Sequence, residues 1–262
     1  MLRSALINVM VAAARKASRA LLRDFGEVEN LQVSLKGPAN FVSNADRRAE
    51  EIIHRELSKA RPSYGFLMEE RGHVAGSDDK NTWIVDPLDG TTNFLHGIPL
   101  FAISIALVRE GVPFAGVVLH PTSDELFMAE RGRGSYVNDR RLRVAARREL
   151  ADCVICCGIP HRGRGDISRF RTELGAVQDQ VAGVRRTGAA ALDLSWVAAG
   201  RFDGFWERGL SPWDIAAGLV ILREAGGFAT DLAGAEEVLD KDTIVAGNEH
   251  VHAALRQVLQ SD

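Results

Sequence analysis

The sequence predicts a mixed fold, an α+β half over residues 1–150 joined directly to an α/β half over residues 151–262. Three observations carry this. Helical periodicity occupies residues 3–24 and 44–60. Sequential strand patterns then run from Pro99 to Tyr136. Beyond about residue 150 strand and helix patterns alternate, as in α/β domains. No linker, repeat or low-complexity tract separates the halves, and 262 residues suit one large domain or two tightly joined subdomains.

Leu2, Leu6, Val9, Met10, Ala13, Ala17 and Leu21 recur at helical spacing and predict the first helix. The second starts with Ser43 at N-cap and Asp46 three residues on, and Pro62 closes it. Gly65-Phe66-Leu67-Met68 is a short strand running into Glu69-Glu70, and the polar, Gly-rich segment 71–81 reads as a surface loop. Thr82–Val85 is a buried strand that stops at Asp86-Pro87, with a helical turn beginning near Asp89-Gly90-Thr91. Phe101–Val108, Phe114–His120 and Glu125–Glu130 form sequential antiparallel strands. In the second half, strands are expected at Cys153–Gly158, 181–186, 202–207, 228–231 and 243–246. Helices are expected at 166–180, 189–199, 212–225 and from 248.

A formal net charge of −3 gives no bulk attraction to nucleic acid or membrane. Seven arginines lie between Arg131 and Arg148, read as a solvated basic face with a polyanion contact as the alternative. Cys153, Cys156 and Cys157 share one apolar stretch. An odd count and a lone C-x-x-C suit buried free thiols better than zinc or disulfides, which points to a reducing compartment. Arg3, an apolar run and Ala12–Ala14 imitate a signal peptide, but Asn8 interrupts the run and Arg15, Lys16 and Arg19 follow it. No apolar run reaches the roughly 18 residues of a membrane span, so a cytoplasmic location is expected.

The chemistry concentrates in Asp86-Pro87-Leu88-Asp89-Gly90-Thr91-Thr92. A buried strand delivers Asp86 to its end, and two carboxylates three positions apart on a turn can converge on hard cations. The amides of Gly90, Thr91 and Thr92 open a helix and suit a phosphate. Each acid also has a structural explanation. Asp89 can cap a helix, Asp86 can satisfy turn amides, and Asp46 lies in a capping box. Ser211-Pro212-Trp213-Asp214 is a helix start of the same kind. Glu69-Glu70 can be a solvated pair. There is no G-x-x-x-x-G-K-[ST], G-x-S-x-G or H-E-x-x-H, and His96, His120 and His161 stand alone.

Taken together, these blocks resemble the inositol monophosphatase family. The likeness rests on Asp86 to Phe94, on Trp213-Asp214-Ile215-Ala216-Ala217-Gly218 with Glu224-Ala225-Gly226-Gly227, and on Phe41 to Asp46. Met68-Glu69-Glu70 and Arg185 to Asp193 extend it, so the blocks follow in order over nearly the whole chain. Within the family the likeness is nearest to bacterial inositol-1-monophosphatases. The resemblance implies a layered αβαβα sandwich, a homodimer, two to three Mg2+ ions and inhibition by Li+. It assigns Glu69, Asp86 and the Leu88 carbonyl to a first metal, and Asp86, Asp89 and Asp214 to a second. Thr91 and Asp46, with Glu69, become the catalytic set that positions the attacking water. Around the substrate it places Leu88, Asp89, Asp214 and the Gly90 and Thr91 amides. Glu207 and Gly188-Ala189-Ala190 meet the polyol ring, with Arg185 as a further contact.

The function so implied is Mg2+-dependent hydrolysis of a small phosphorylated polyol or sugar, foremost inositol 1-phosphate, by direct in-line attack. Fructose 1,6-bisphosphate and histidinol phosphate are the alternatives, a 3′-phosphoadenosine nucleotide a remoter one. A regulatory role at the transcription machinery is the alternative of another class. Asn40 and Ala189 depart from the residues usual at their positions, which bears on substrate identity.

Overall fold

A computed structural model describes residues 3–27, 33–37, 40–160 and 165–260; for residues 33–37 and 40–43 the backbone course alone is described. The first half runs α1 (Ala5–Phe25), β1 (Val33–Gly37), β2 (Asn40–Ser43), α2 (Asn44–Ala60), β3 (Tyr64–Met68), β4 (Gly72–Val74) and β5 (Asp78–Asp89). It continues with α3 (Thr91–Leu95), β6 (Ala102–Arg109), β7 (Val112–His120), β8 (Glu125–Glu130), β9 (Ser135–Val137) and β10 (Arg140–Arg141). After a 3-10 turn at Leu150–Asp152 come β11 (Val154–Cys157), α4 (Ile167–Gln178), β12 (Gly183–Arg185), α5 (Ala190–Ala198) and β13 (Gly204–Arg208). The chain finishes with α6 (Pro212–Glu224), β14 (Phe228–Thr230), β15 (Thr243–Gly247) and α7 (Glu249–Gln260).

Alternation along the strands builds the layers. Trp83, Val85, Ile103, Ile105 and Leu107 face one side of an eight-stranded sheet of order β10-β9-β8-β7-β6-β5-β3-β4 and pack on α1 and α2. Ile84, Ala102, Ala106 and Val108 face the other side, against α5 and α6. A five-stranded sheet, β12-β11-β13-β15-β14, covers the far side of α5 and α6 through Cys156, Phe205 and Ala246. Its outer face, with Cys153, Ile155 and Trp206, packs on α4 and α7. The result is the αβαβα sandwich that the family likeness implies. Its middle core draws on both halves of the chain, from Ile84 to Leu142 and from Cys156 to Ala246.

Several expectations need correction. Segment 71–81 is not simply a loop, because β4 folds back antiparallel on β3 and β5 already begins at Asp78. Gly76 makes this possible: a Cβ there would stand 2.4 Å from the Gly65 nitrogen and the Ser63 carbonyl. Nor does β5 stop at Asp86. Asp86 pairs with Ser104, the register shifts, and pairing resumes between Asp89 and Ala102. Two residues on β5 thus oppose one on β6, a bulge in which Pro87, lacking an N–H, is tolerated. The β1–β2 hairpin has no counterpart in the sequence reading. The Ser43 side chain, expected at the N-cap of α2, lies outside the described residues. In the smaller sheet β11 pairs parallel with β12 and β13, but β15 runs antiparallel to β13 and β14, so the second half is mixed.

Candidate active site

The bulge determines where the acids point. In a regular strand, residues three apart face opposite sides of the sheet. One extra residue reverses that parity, and Asp86 and Asp89 come to act on the same place. The Leu88 N–H donates to Asp86 Oδ1 at 2.9 Å, and the Thr91 hydroxyl donates to the Leu88 carbonyl at 3.0 Å. Gly90 is required for the turn that follows. Its φ is 93°, and a Cβ would stand 2.9 Å from the Leu100 carbonyl.

Other elements bring the remaining acids. The Glu69 N–H donates to the Val85 carbonyl, which carries the β3–β5 pairing one residue further and sets Glu69 beside the end of β5. Buried Glu50 of α2 accepts the N–H groups of Glu70 and Arg71 at 2.8 and 3.4 Å, fixing the turn just after Glu69. Asp46, also buried, lies in the first turn of α2. Asp214 is the third residue of α6 and accepts the Ser211 N–H at 2.7 Å, so the expected capping box is present. Ser104, opposite Asp86 in the ladder, donates to the Trp213 carbonyl at 3.2 Å and ties the start of α6 to β6. The Ala191 N–H, at the start of α5, donates to Asp89 Oδ2 at 2.7 Å.

Electrostatics show that these side chains share one place. Asp86 is held well above the usual carboxylate range by burial first, then by the charges of Glu69, Asp89, Asp214 and Asp46. Asp89 is raised by burial and by Asp214, Glu207 and Glu69, while the Ala191 N–H opposes the shift. Buried like charges of this kind demand a cation or protons. The donors are all oxygen, the set preferred by hard divalent ions rather than by zinc or copper. Among the described residues no group of three or more His, Cys, Asp or Glu side chains stands placed to hold a metal ion. Backbone N–H groups orient Asp86, Asp89 and Asp214, and a carboxylate oxygen that accepts one N–H still has a lone pair for a cation.

The 187–193 segment is anchored from the same motif. Buried Asn93 donates through Nδ2 to the Leu100 and Thr187 carbonyls at 2.7 and 2.8 Å, and the Thr187 hydroxyl donates to buried Asp193 at 2.8 Å. Gly188 adopts a φ of 83°, with Ala189 and Ala190 leading into α5. Glu207 lies on β13, close enough to Asp89 to raise it. Arg185 is exposed at the end of β12, its guanidinium on the Val184 carbonyl, whereas the neighbouring Arg186 directs its charge at Cys157 and Asp193. Asn93, Ser104, Glu50 and Arg186 were not singled out from sequence. Asn93 and Arg186 carried a signal, their places inside the Asp86 motif and the Arg185–Asp193 block.

Other candidates resolve as structural. The cysteines are free and buried, and burial pushes the Cys153 thiol to about 11 and the Cys157 thiol to about 12. His120 is pinned by the Pro99 carbonyl at 2.9 Å and by the Thr122 and Ser123 hydroxyls at 2.9 and 2.7 Å. His96 closes α3, and His161 lies outside the described residues. The arginines from Arg131 to Arg148 are all exposed, with Arg147 paired to Asp203 at 2.6 Å and Arg133 to Glu130 at 3.4 Å. Among the described residues no helix is long and apolar enough to cross a membrane.

Comparison with known proteins identifies the family. The model of the inositol monophosphatase family matches residues 2–261. An inositol-1-monophosphatase of Mesorhizobium japonicum is 64% identical over 260 residues, which cover 99% of this chain and 98% of that protein. The Nus factor SuhB of Pseudomonas aeruginosa is 42% identical over 259 residues, 97% of this chain and 96% of its own. The crystal structure of extragenic suppressor protein suhB from Bartonella henselae matches with a TM-score of 0.96 at 58% identity, covering 98% of this chain and 99% of that one. Fold, acidic site and relatives define a phosphoric monoester hydrolase. The chain belongs to the inositol monophosphatase family.

Proposed function

We propose that the chain hydrolyses inositol 1-phosphate to inositol and phosphate, with Mg2+ held by Glu69, Asp86, the Leu88 carbonyl, Asp89 and Asp214. The observation that carries this reading is the convergence of the charges of Glu69, Asp89, Asp214 and Asp46 on buried Asp86, all of them oxygen donors. The Mesorhizobium relative, named for this activity, supports the substrate. Bound Mg2+ supplies Lewis-acid stabilisation of phosphoryl oxygens and a water of lowered pKa.

The chain's own groups do the rest. The Thr91 hydroxyl, already donating to Leu88, keeps its lone pairs for the attacking water, and Asp46 with Glu69 orients that water and takes its proton. The Gly90 and Thr91 amides receive the phosphate. Glu207 and residues 188–190 contact ring hydroxyls, with Arg185 at the edge. Since water is the nucleophile, no phosphoenzyme forms.

The purified protein, assayed with Mg2+ on inositol 1-phosphate, fructose 1,6-bisphosphate, histidinol phosphate and a 3′-phosphoadenosine nucleotide, is expected to favour the first in kcat/KM. Asp89→Asn removes a proposed direct ligand, so its kcat/KM falls by more than about 100-fold. Full activity in that variant would remove the metal assignment, and preference for another member of the panel would replace the substrate. Li+ inhibition, homodimer formation and a cytoplasmic location belong to the same reading and are checked by inhibition kinetics, light scattering and fractionation.

A second reading, contact with a transcription complex, is favoured by the exposed arginines from Arg131 to Arg148 and by the relatives named Nus factor SuhB. Purified transcription components that bind the chain, and lose binding when these arginines become serine, would support it.

A further inference from the structure

Gly158 follows β11 at the carboxyl end of the parallel β11–β13 pair, where open α/β sheets place their ligands. Its N–H donates to the Trp206 carbonyl at 3.2 Å, so the ladder continues through it and brings it beside Glu207. A Cβ at Gly158 would fall 1.8 Å from the Glu207 carboxyl carbon and 1.9 and 2.2 Å from its two oxygens. The three nearest obstacles are therefore one carboxylate, which lies directly over the bare Cα. Gly158 has no left-handed φ that would call for glycine. Gly116 provides the contrast, since a Cβ there would meet the backbone of Ala217. At Gly158 the φ suits alanine, and the nearest atoms a Cβ would meet belong to the end of a flexible side chain.

We propose that Gly158 is a positioning residue, whose missing side chain seats the Glu207 carboxylate against the substrate's ring hydroxyls and so sets selectivity for polyol phosphates. The inference rests on Glu207 as a ring contact. Adding one methyl group at 158 displaces the carboxylate by more than an ångström while leaving Glu69, Asp86, Asp89 and Asp214 in place. A half-buried acceptor moved that far no longer meets the hydroxyls it was set to receive.

The test is a double-mutant cycle of Gly158→Ala and Glu207→Ala, assayed on inositol 1-phosphate and on p-nitrophenyl phosphate, which has no ring hydroxyls. Gly158→Ala is expected to raise KM for inositol 1-phosphate by about tenfold or more, with kcat within about twofold. Preference over p-nitrophenyl phosphate falls in proportion. In the Glu207→Ala background the 158 substitution adds nothing, because its partner is gone. Additive effects in the cycle, or an unchanged KM in a variant that melts like the parent, would overturn the proposal. Glu207→Asp withdraws the carboxylate without touching 158 and should raise KM similarly, which keeps the idea testable if the alanine variant folds poorly; an unchanged KM there counts against it. A parent enzyme inactive on inositol 1-phosphate would instead refute the proposed function.

Discussion

At the scale of single residues, the acids of the site oppose folding unless something neutralises them. Asp86 and Asp89 have folded pKa values above those of the unfolded chain, so the metal-free folded state holds more protons than the unfolded one. Their contribution to stability is fully present below the ordinary carboxylate range and is lost as pH rises through the raised values. Asp86→Asn removes a charge that burial penalises. In chelator-treated protein this variant should melt above the parent, by a margin that is wider at about pH 8 than at about pH 5. A margin independent of pH, read by calorimetry, would contradict the assignment of Asp86 as the uncompensated buried charge. Asp86 and Asp89 could be read from sequence because their motif is local. Their supports could not. Ser104 reaches Trp213 and Asn93 reaches Thr187 across separations of 109 and 94 residues, and no local pattern encodes such partners.

At the scale of elements, α6 meets the most constraints at once. Its first turn presents Asp214, its body fills the middle core, and its approach to β7 depends on Gly116. A Cβ at Gly116 would stand 2.5 Å from the Ala217 carbonyl, with no flexible atom to give way. Gly116→Ala is therefore expected to destabilise the fold by about 1–3 kcal/mol through overpacking. Because the helix moves with its first turn, kcat/KM should fall as well, and an urea melt beside an activity assay checks both. The long helices were legible because their periodic faces are long, as in α1 and α2. The β1–β2 hairpin, β4 and β10 were not: they are strands of two to five residues, too short to show alternation. The bulge at Pro87 looked like a strand end for a related reason, since proline ordinarily stops pairing and only the partner strand shows that it resumes.

At the scale of the molecule, the described residues form three apolar cores among the five layers, and the candidate site lies where β5, α2, α5 and α6 meet. Alternation of patterns in the sequence carries the expectation of two halves but not their interlocking, because the middle core takes side chains from segments more than a hundred residues apart, such as Ile84 and Phe205. The outer helices α1 and α7 each keep a solvent-facing side, whereas α6 lies between two sheets, with every residue from Ile215 to Leu222 buried. That burial governs which parts of the protein can breathe. A helix enclosed on both sides cannot fray outward without parting the sheets that enclose it. Its amides should therefore exchange with deuterium only when the whole chain opens, more slowly than those of α1 or α7. The wall of the pocket that bears Asp214 would then stay as rigid as the fold itself, leaving fluctuations that admit or release ligand to the shorter pieces around it.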